Sequence, residues 1–162
     1  MALLKDGKKV EDPWLRVGGE DPVPEAGSVL VGLARWKQDR DALLARSEPV
    51  GVWLQSEEGP DELAGDLDAL ALIALEFPAF KDGRAYSSAR VLRERYGFSG
   101  ELRAVGDVLL EHLLFMHRCG FDTFEIDSED PEQDWQTAVA DFDTWYQPTA
   151  DGRPTAVQRR HR

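Results

Sequence analysis

Residues 71–126, ALIALEFPAFKDGRAYSSARVLRERYGFSGELRAVGDVLLEHLLFMHRCGFDTFEI, alternate between short apolar runs and longer amphipathic stretches. The first run is apolar on both faces and stops at Pro78, which is typical of a strand buried inside a parallel sheet. The whole pattern predicts three strands separated by two helices, with strands over residues 71–77, 100–107 and 122–126 and helices over residues 87–96 and 108–119. This stretch therefore predicts an α/β fold.

A weak internal repeat supports the same alternation. RYGFSGEL begins at Arg95 and RCGFDTFE begins at Arg118, and each copy ends a helix with Arg-x-Gly-Phe before it enters a strand. The copies begin 23 residues apart, a spacing that fits one compact helix-and-strand step. Because such steps recur in (β/α) barrels, the repeat favours a barrel-like arrangement of the units.

Two further strands are predicted upstream, SVLVGLARW over residues 28–36 and VGVWLQ over residues 50–55. Asp39 is expected to cap a short helix after the first strand, and Pro60 to open the helix after the second. A last helix is predicted over residues 130–147. About five βα units in series predict a parallel sheet. Five units cannot close an eight-stranded barrel, so the sheet is either open or a partial (β/α) barrel, and the partial barrel is favoured.

The two ends of the chain differ in composition from its middle. Residues 1–27 are punctuated by Pro and Gly and predict an extended, loop-like N-terminal arm that packs on the body through Trp14. Residues 28–146 are predicted to form a single α/β domain. Residues 147–162 carry four Arg and predict a flexible basic tail, with an electrostatic contact to an acidic partner as the alternative.

The charge and the cysteine content limit the class of protein. The net charge of −12 at pH 7 makes nucleic acid and anionic membrane surfaces poor partners. No apolar run approaches the length of a membrane span, and the N-terminus lacks the apolar segment of a secretory signal. The single cysteine, Cys119, excludes a disulfide within the chain and is expected to be a buried structural thiol. These observations predict a cytoplasmic protein.

The loop after the predicted strand 71–77 gathers two cations, a phenol and two hydroxyls just before a helix. In parallel α/β folds, functional groups collect at the carboxyl ends of the strands. A helix that begins at Ser87 would direct free N–H groups and the positive end of its dipole toward that edge. The loop therefore predicts a site for a small anion such as sulfite, sulfate or phosphate, with its ligands among Lys81, Arg84, Ser87 and Ser88.

Other side chains are predicted to share that edge of the sheet. Arg35 would add a positive charge to the anion site, while Glu76, Tyr86 and Asp107 are candidate catalytic residues. A carboxylate at this position could orient an Arg or accept a proton. The structural alternative is that Ser87 is only an N-cap and that the cations of the loop belong to a solvated turn.

No motif identifies a cofactor or a metal. The sequence contains no Gly-rich dinucleotide fingerprint, no Walker loop and no cysteine set for an iron–sulfur cluster. His112 and His117 are five residues apart and lie on different faces of a helix, which makes a poor metal-binding pair. No cofactor is therefore assigned, and whether the chain is an enzyme stays open.

Three segments carry a resemblance to a known family, namely FPAFKDGRAYSSARVLR (77–93), GELRAVGDVLLE (100–111) and RCGFDTF (118–124). They resemble an uncharacterised bacterial family labelled as oxidoreductases of sulfite reduction, whose genes typically lie beside that of assimilatory sulfite reductase. The resemblance covers residues 28–146, and Glu111-His112 departs from the usual pattern at a helical position. It implies a role in assimilatory sulfur metabolism, with sulfite reductase as the candidate partner.

Three functions are compatible with the residues and the resemblance. The favoured one is an accessory protein that binds sulfite reductase or a related component, because the sequence offers no redox group of its own. The second is a small-anion-binding enzyme or oxidoreductase of the same pathway that uses the loop 76–88 and Asp107. The third is an α/β regulatory domain that senses a sulfur metabolite.

Overall fold

The computed structural model describes residues 1–140 and 142–160, and its strands form one sheet with the order β2-β1-β8-β7-β6-β5-β4-β3. β3 to β8 run parallel, each beside its neighbour in sequence, whereas β1 and β2 form an antiparallel hairpin that pairs with β8. The strands are β1 (Ala2–Lys5), β2 (Lys8–Val10), β3 (Trp14–Val17), β4 (Ser28–Gly32), β5 (Val50–Leu54), β6 (Leu72–Phe77), β7 (Glu101–Gly106) and β8 (Thr123–Ile126).

The sheet is curled into a half-barrel, and the link between its two edge strands requires this curl. β2 ends at Val10 and β3 begins at Trp14, although these strands lie at opposite edges of the sheet. The four Cα–Cα steps of this link span at most about 14 Å. Flat strands spaced about 4.8 Å apart would place the edges about 34 Å from each other. The sheet therefore has to bend until its edges face each other.

Helices cover the convex face of the curl. They are α1 (Leu33–Leu44), α2 (Arg84–Arg90), α3 (Leu110–Cys119), α4 (Pro131–Ala140) and α5 (Ala156–Arg160). Two short 3₁₀ helices, Pro60–Leu63 and Leu67–Ala69, connect β5 to β6, and a π-helical turn, Val91–Arg95, extends α2. α1 packs on β4 and β5, α2 packs on β6, and α3 packs between α2 and α4. Among the described helices, none has the length and apolarity that crossing a bilayer requires.

The core has two layers because successive strand residues point to opposite faces of the sheet. The larger layer lies between the sheet and the helices and includes Val52 and Leu75. The smaller layer lies inside the curl and consists of Leu30, Leu72, Ala74 and Val105, packed against Trp14 and Trp53. Trp14 thus holds the N-terminal arm on the body, as the sequence predicts.

The prediction of a mostly parallel α/β sheet is confirmed, and the half-barrel agrees with the favoured partial barrel. The prediction of five βα units is not confirmed. The arm 1–27 is not loop-like, because it supplies β1, β2 and β3 to the same sheet. The step from β5 to β6 has no α-helix and uses the 3₁₀ helices instead. Strands of three or four residues beside Gly and Pro show too few alternating positions to be recognised from their period.

The boundary between β4 and α1 is also corrected. The strand predicted over residues 28–36 ends at Gly32, so Arg35 lies on a helix. Asp39 is not a cap but lies inside α1, where its φ of −109° and ψ of 19° kink the helix. SVLVGLARW is apolar at almost every position, and a run of this kind does not distinguish a buried strand from a buried helix.

The segment after α4 packs against α3. The last helix is predicted over residues 130–147 but ends at Ala140. Trp145 is buried, and the Arg118 guanidinium lies 3.8 Å from the centroid of its ring. Arg118 also donates to the Asp151 carboxylate. The flexible tail predicted over residues 147–162 therefore contacts the body over its described part, and residues 161–162 lie outside the described residues.

Candidate functional site

The predicted anion loop lies between β6 and α2, where the carboxyl ends of the parallel strands meet. Arg84 pairs with Asp82 at 2.6 Å, and its Nη2 also donates to the hydroxyl of Ser56 in the loop after β5 at 2.7 Å. The bonds from Arg84 lower the pKa of the Asp82 carboxyl to about 2. Lys81 is exposed to solvent. The charge of Arg84 is therefore already matched by a carboxylate of the same loop.

α2 begins three residues earlier than predicted, at Arg84. Asp82 accepts a hydrogen bond from the backbone N–H of Arg84 at 3.2 Å, which satisfies the first N–H of the helix. Ser87 and Ser88 lie one turn inside the helix, so Ser87 is not its N-cap. The predicted start at Ser87 is wrong because the Asp82-Gly83 turn, and not a serine hydroxyl, precedes the first helical residue.

Tyr86 is partly buried and packs against the core between α2 and the sheet. Its ring meets that of Phe77 edge to face, with 5.1 Å between the centroids. Burial, with a smaller contribution from Cys119, raises the pKa of the Tyr86 phenol to about 12. Burial also raises the pKa of the half-buried Cys119 thiol. Both groups therefore keep their protons near neutral pH.

Glu76 and Asp107 lie at the ends of neighbouring strands but in different environments. Glu76 points into the curl from β6, where burial raises the pKa of its carboxyl and the charges of Glu57 and Glu58 raise it further, while Arg16 opposes them. The backbone N–H of Asp107 donates to the carbonyl of Phe77 at 2.7 Å, which joins the ends of β6 and β7. Of these two carboxylates, Glu76 has the environment of a proton acceptor.

Arg35 holds the N-terminal arm. Its guanidinium donates to the backbone carbonyls of Gly19 and Asp21 at 2.7 and 2.9 Å and pairs with Asp39 one turn along α1. None of these bonds reaches the loop 76–88. The structure thus brings Arg84 together with Asp82 and Ser56, whereas Arg35 binds the backbone of the N-terminal arm. Anion binding at the loop stays a prediction, which calorimetric titration of wild type and Arg84→Ala with sulfite, sulfate and phosphate tests.

The sequence patterns that predict the strands and the loop 76–88 do not predict the charged side chains inside the curl. Arg103 on β7 is fully buried and its guanidinium contacts three carboxylates. The distances are 2.8 Å to Asp12, 2.8 Å to Glu101 and 3.3 Å to Glu125. A signal for this network exists, because Arg103 stands in the middle of the otherwise apolar strand ELRAVG and its side chain alternates with Leu102 and Ala104.

The network extends to the edge strand β3 and, on the other side, to β1, which lies next to the edge strand β2. Glu125 on β8 also pairs with Arg16 on β3, which is five strands away in the sheet, and Glu101 pairs with Lys5 on β1 at 2.9 Å. Arg16 in turn lies 4.9 Å from the centroid of the Trp53 ring. These contacts cross the inside of the curl. The pair of Arg16 with Glu125 links β3 to β8, and Glu125 in turn contacts Arg103 on β7. β3 is not adjacent to β7 or β8 in the sheet, so these ion pairs replace backbone hydrogen bonds.

A cavity of about 270 Å³ opens beside this network and is lined by Met1, Ala2, Leu3, Asp12, Arg16 and Glu125. Its volume would admit a small molecule. However, the charged side chains that line it already pair with each other or with Arg103. A ligand would have to break these pairs, so the arrangement fits a structural network.

A second concave surface lies between α3 and α4, and we call it the α3–α4 groove. Its volume is about 140 Å³, and Phe115 and Phe142 on its walls remain 49% and 52% exposed. Among the described residues that line it, Glu111 carries the only charge. The lining residues are Leu110, Glu111, Leu114, Phe115, Thr137, Ala138 and Phe142.

Within residues 1–140 and 142–160, no group of His, Cys, Asp or Glu side chains is arranged to hold a metal ion.

Comparison with protein families gives one match. The family described as "Bacterial protein of unknown function (DUF934)" matches residues 51–157, which is more than half of the chain. The matched region runs from β5 to α5 and includes the loop 76–88 and the whole α3–α4 groove. No curated protein matches the chain.

Proposed function

The chain belongs to this bacterial family of unknown function, and we propose that it acts as an accessory protein of assimilatory sulfite reduction. In this role it binds sulfite reductase or a related component. The α3–α4 groove is the observation that carries the proposal, because half-exposed aromatic side chains line a concave surface there. Aromatic side chains are enriched at protein–protein interfaces relative to the rest of a protein surface.

The charge of the chain supports a protein partner of opposite sign. With a net charge of −12, the chain attracts a basic surface over a distance of about 8–10 Å at physiological salt. Complementary charges raise the rate of encounter and select among partners, while buried apolar contacts supply most of the affinity. An acidic chain with an apolar groove therefore has both elements of a docking protein.

The pathway comes from the resemblance to the family of sulfite reduction. Its three segments all lie within the region that the family match covers. These segments supply the pathway of the proposal, and the α3–α4 groove supplies its docking surface.

Deletion of the gene tests the proposal. We expect the deletion strain to need reduced sulfur, so that sulfide or cysteine restores growth and sulfite does not. Equal growth of the deletion strain and the parent on sulfite would contradict a role in sulfite reduction.

Complementation then separates docking from chemistry at the loop. If docking is the function, a gene copy with Arg84→Ala restores growth of the deletion strain on sulfite, and a copy with Phe115→Ser does not. The reverse pattern would support the alternative enzyme that uses the loop 76–88. Both residues are about half exposed or more, so neither substitution opens a cavity in the core.

A further inference from the structure

We propose that the α3–α4 groove binds an amphipathic helix of the partner, which inserts one large apolar side chain and places Lys or Arg on either side of it. This inference deepens the accessory role and rests on it. It assigns the chemistry of the segment that is recognised, whereas the proposed function names only the pathway.

The size of the groove sets the number of anchors. Its volume of about 140 Å³ is close to that of an engineered apolar cavity of about 150 Å³ that binds benzene. The groove therefore accommodates one ring or one branched aliphatic side chain, and not a longer apolar segment. A single Leu, Phe or Met of the partner fits this volume.

The floor of the groove is already formed, while its walls still face solvent. Leu114 and Ala138 are buried at 3% and 5% exposure, so packing within the chain holds them in place. Leu110, Phe115 and Phe142 are 39%, 49% and 52% exposed. An inserted side chain would rest on the floor, and the body of the partner helix would cover the walls and exclude water.

Glu111 is the charged residue that lines the groove. Asp143 directly follows Phe142 and is exposed. Arg118 lies one turn after Leu114 on α3, but its charge is paired with Asp151. The carboxylates of Glu111 and Asp143 favour a partner with basic residues beside its anchor. An acidic segment with the same apolar residue would be repelled.

The shape favours a helix as the occupant. α3 and α4 pack side by side, and the groove runs along their contact. Helices dock into such grooves through apolar residues spaced at i, i+3, i+4 and i+7, as amphipathic target helices do. A partner helix laid here would have α3 and α4 as its two neighbours.

Synthetic helical peptides provide the test, with fluorescence anisotropy as the readout. The probe is an Ala-based helix with one Phe at its centre and Lys at the flanking positions of the same face. One control peptide replaces the Lys with Glu, and a second replaces the Phe with Ser. We expect the wild-type chain to bind the Lys peptide and neither control.

Matched variants locate the binding. Leu110→Ala should reduce the affinity of the chain for the Lys peptide by about tenfold, because apolar area at the wall of the groove is lost. Phe115→Ser should weaken it at least as much. Leu15→Ala removes the same atoms from a residue of β3 that is 55% exposed and lies outside the groove, and it should change nothing. Equal binding of the Lys and Ser peptides, or equal effects of Leu110→Ala and Leu15→Ala, would overturn the inference.

The same variants distinguish the two proposals. If the Lys peptide occupies the groove but sulfite reductase does not bind the chain, the role in sulfite reduction fails and the chemistry of the groove stands. If sulfite reductase binds and Leu110→Ala weakens neither ligand, the groove is not the docking surface and the accessory role survives.

Discussion

At the scale of single residues, Arg103 connects three carboxylates inside the curled sheet. Its guanidinium is fully buried and contacts Asp12, Glu101 and Glu125. Removing one partner of a buried charge network is costly because the remaining charges stay buried without compensation. The network is therefore more sensitive to single substitutions than a surface pair is.

Arg103→Gln should destabilise the protein by about 3–5 kcal/mol. Arg90→Gln is the matched control, because it breaks the exposed pair with Glu94 on the same helical segment and should cost about 0.5 kcal/mol or less. Urea unfolding of both variants measures the difference. Similar losses for the two variants would show that the network inside the curl contributes no more than a surface pair.

Glu76 gives a prediction about pH. Because the pKa of its carboxyl is raised above the ordinary value of 4.5, the folded state holds this proton more tightly than the unfolded state. Stability therefore falls as the pH rises from about 4.5 through the folded-state pKa, and ionised Glu76 is unfavourable above that window. Glu76→Gln should raise the urea midpoint at pH 7, and the gain should vanish below the ordinary pKa. An equal midpoint at pH 7 would argue against the effect of burial.

For the elements, the junction of β6 and β7 depends on a close backbone contact at Gly106. Gly106 has φ +92°, and a Cβ at this position would lie 2.4 Å from the carbonyl oxygen of Phe77. The same carbonyl accepts the N–H of Asp107. Only glycine fits both the conformation and the contact.

Gly106→Ala should cost about 2–4 kcal/mol, since strain at positive φ and overpacking add. Gly97→Ala separates these effects, because Gly97 also has a positive φ of 68° but no atom within 4 Å of its Cβ position. It should cost about 1–2 kcal/mol. If thermal or urea unfolding shows the same loss of stability for Gly106→Ala and Gly97→Ala, the backbone near Phe77 moves away from the added Cβ at no energetic cost.

The elements also show how far the sequence predicts this fold. The strands β6, β7 and β8 and helix α3 lie within two residues of their predicted bounds. β6 has an apolar run and α3 a clear 3.6-residue period, while β7 and β8 each follow one copy of the Arg-x-Gly-Phe repeat. β1, β2 and β3 are too short to show a period, and they form because β8 and β4 offer them pairing partners. Such pairing is a tertiary effect that local patterns do not contain.

The position of the loop 76–88 at the carboxyl ends of the strands could be predicted, because the loop directly follows a recognisable buried strand. The contact of Arg84 with Ser56 in the loop after β5 could not be predicted from local patterns. The α3–α4 groove depends on how two helices and the segment around Phe142 pack, and the charges inside the curl depend on which strands face each other. Both are contacts between residues far apart in the sequence.

For the whole molecule, we predict that the chain, with its net charge of −12, associates with a basic surface that inserts one apolar anchor. Screening of exposed charges shortens their reach from about 30 Å at 0.01 M salt to about 3 Å at 1 M. The apolar part of the contact is not screened in this way. Association should therefore weaken with salt and also depend on the α3–α4 groove.

The most direct measurement is the binding of the purified chain to purified sulfite reductase, by biolayer interferometry at low and at high ionic strength. We expect a complex at low salt, a clear loss of affinity at high salt, and a loss of about tenfold for Leu110→Ala but not for Leu15→Ala at either salt concentration. Absence of a complex with the wild-type chain at both ionic strengths would contradict the accessory role.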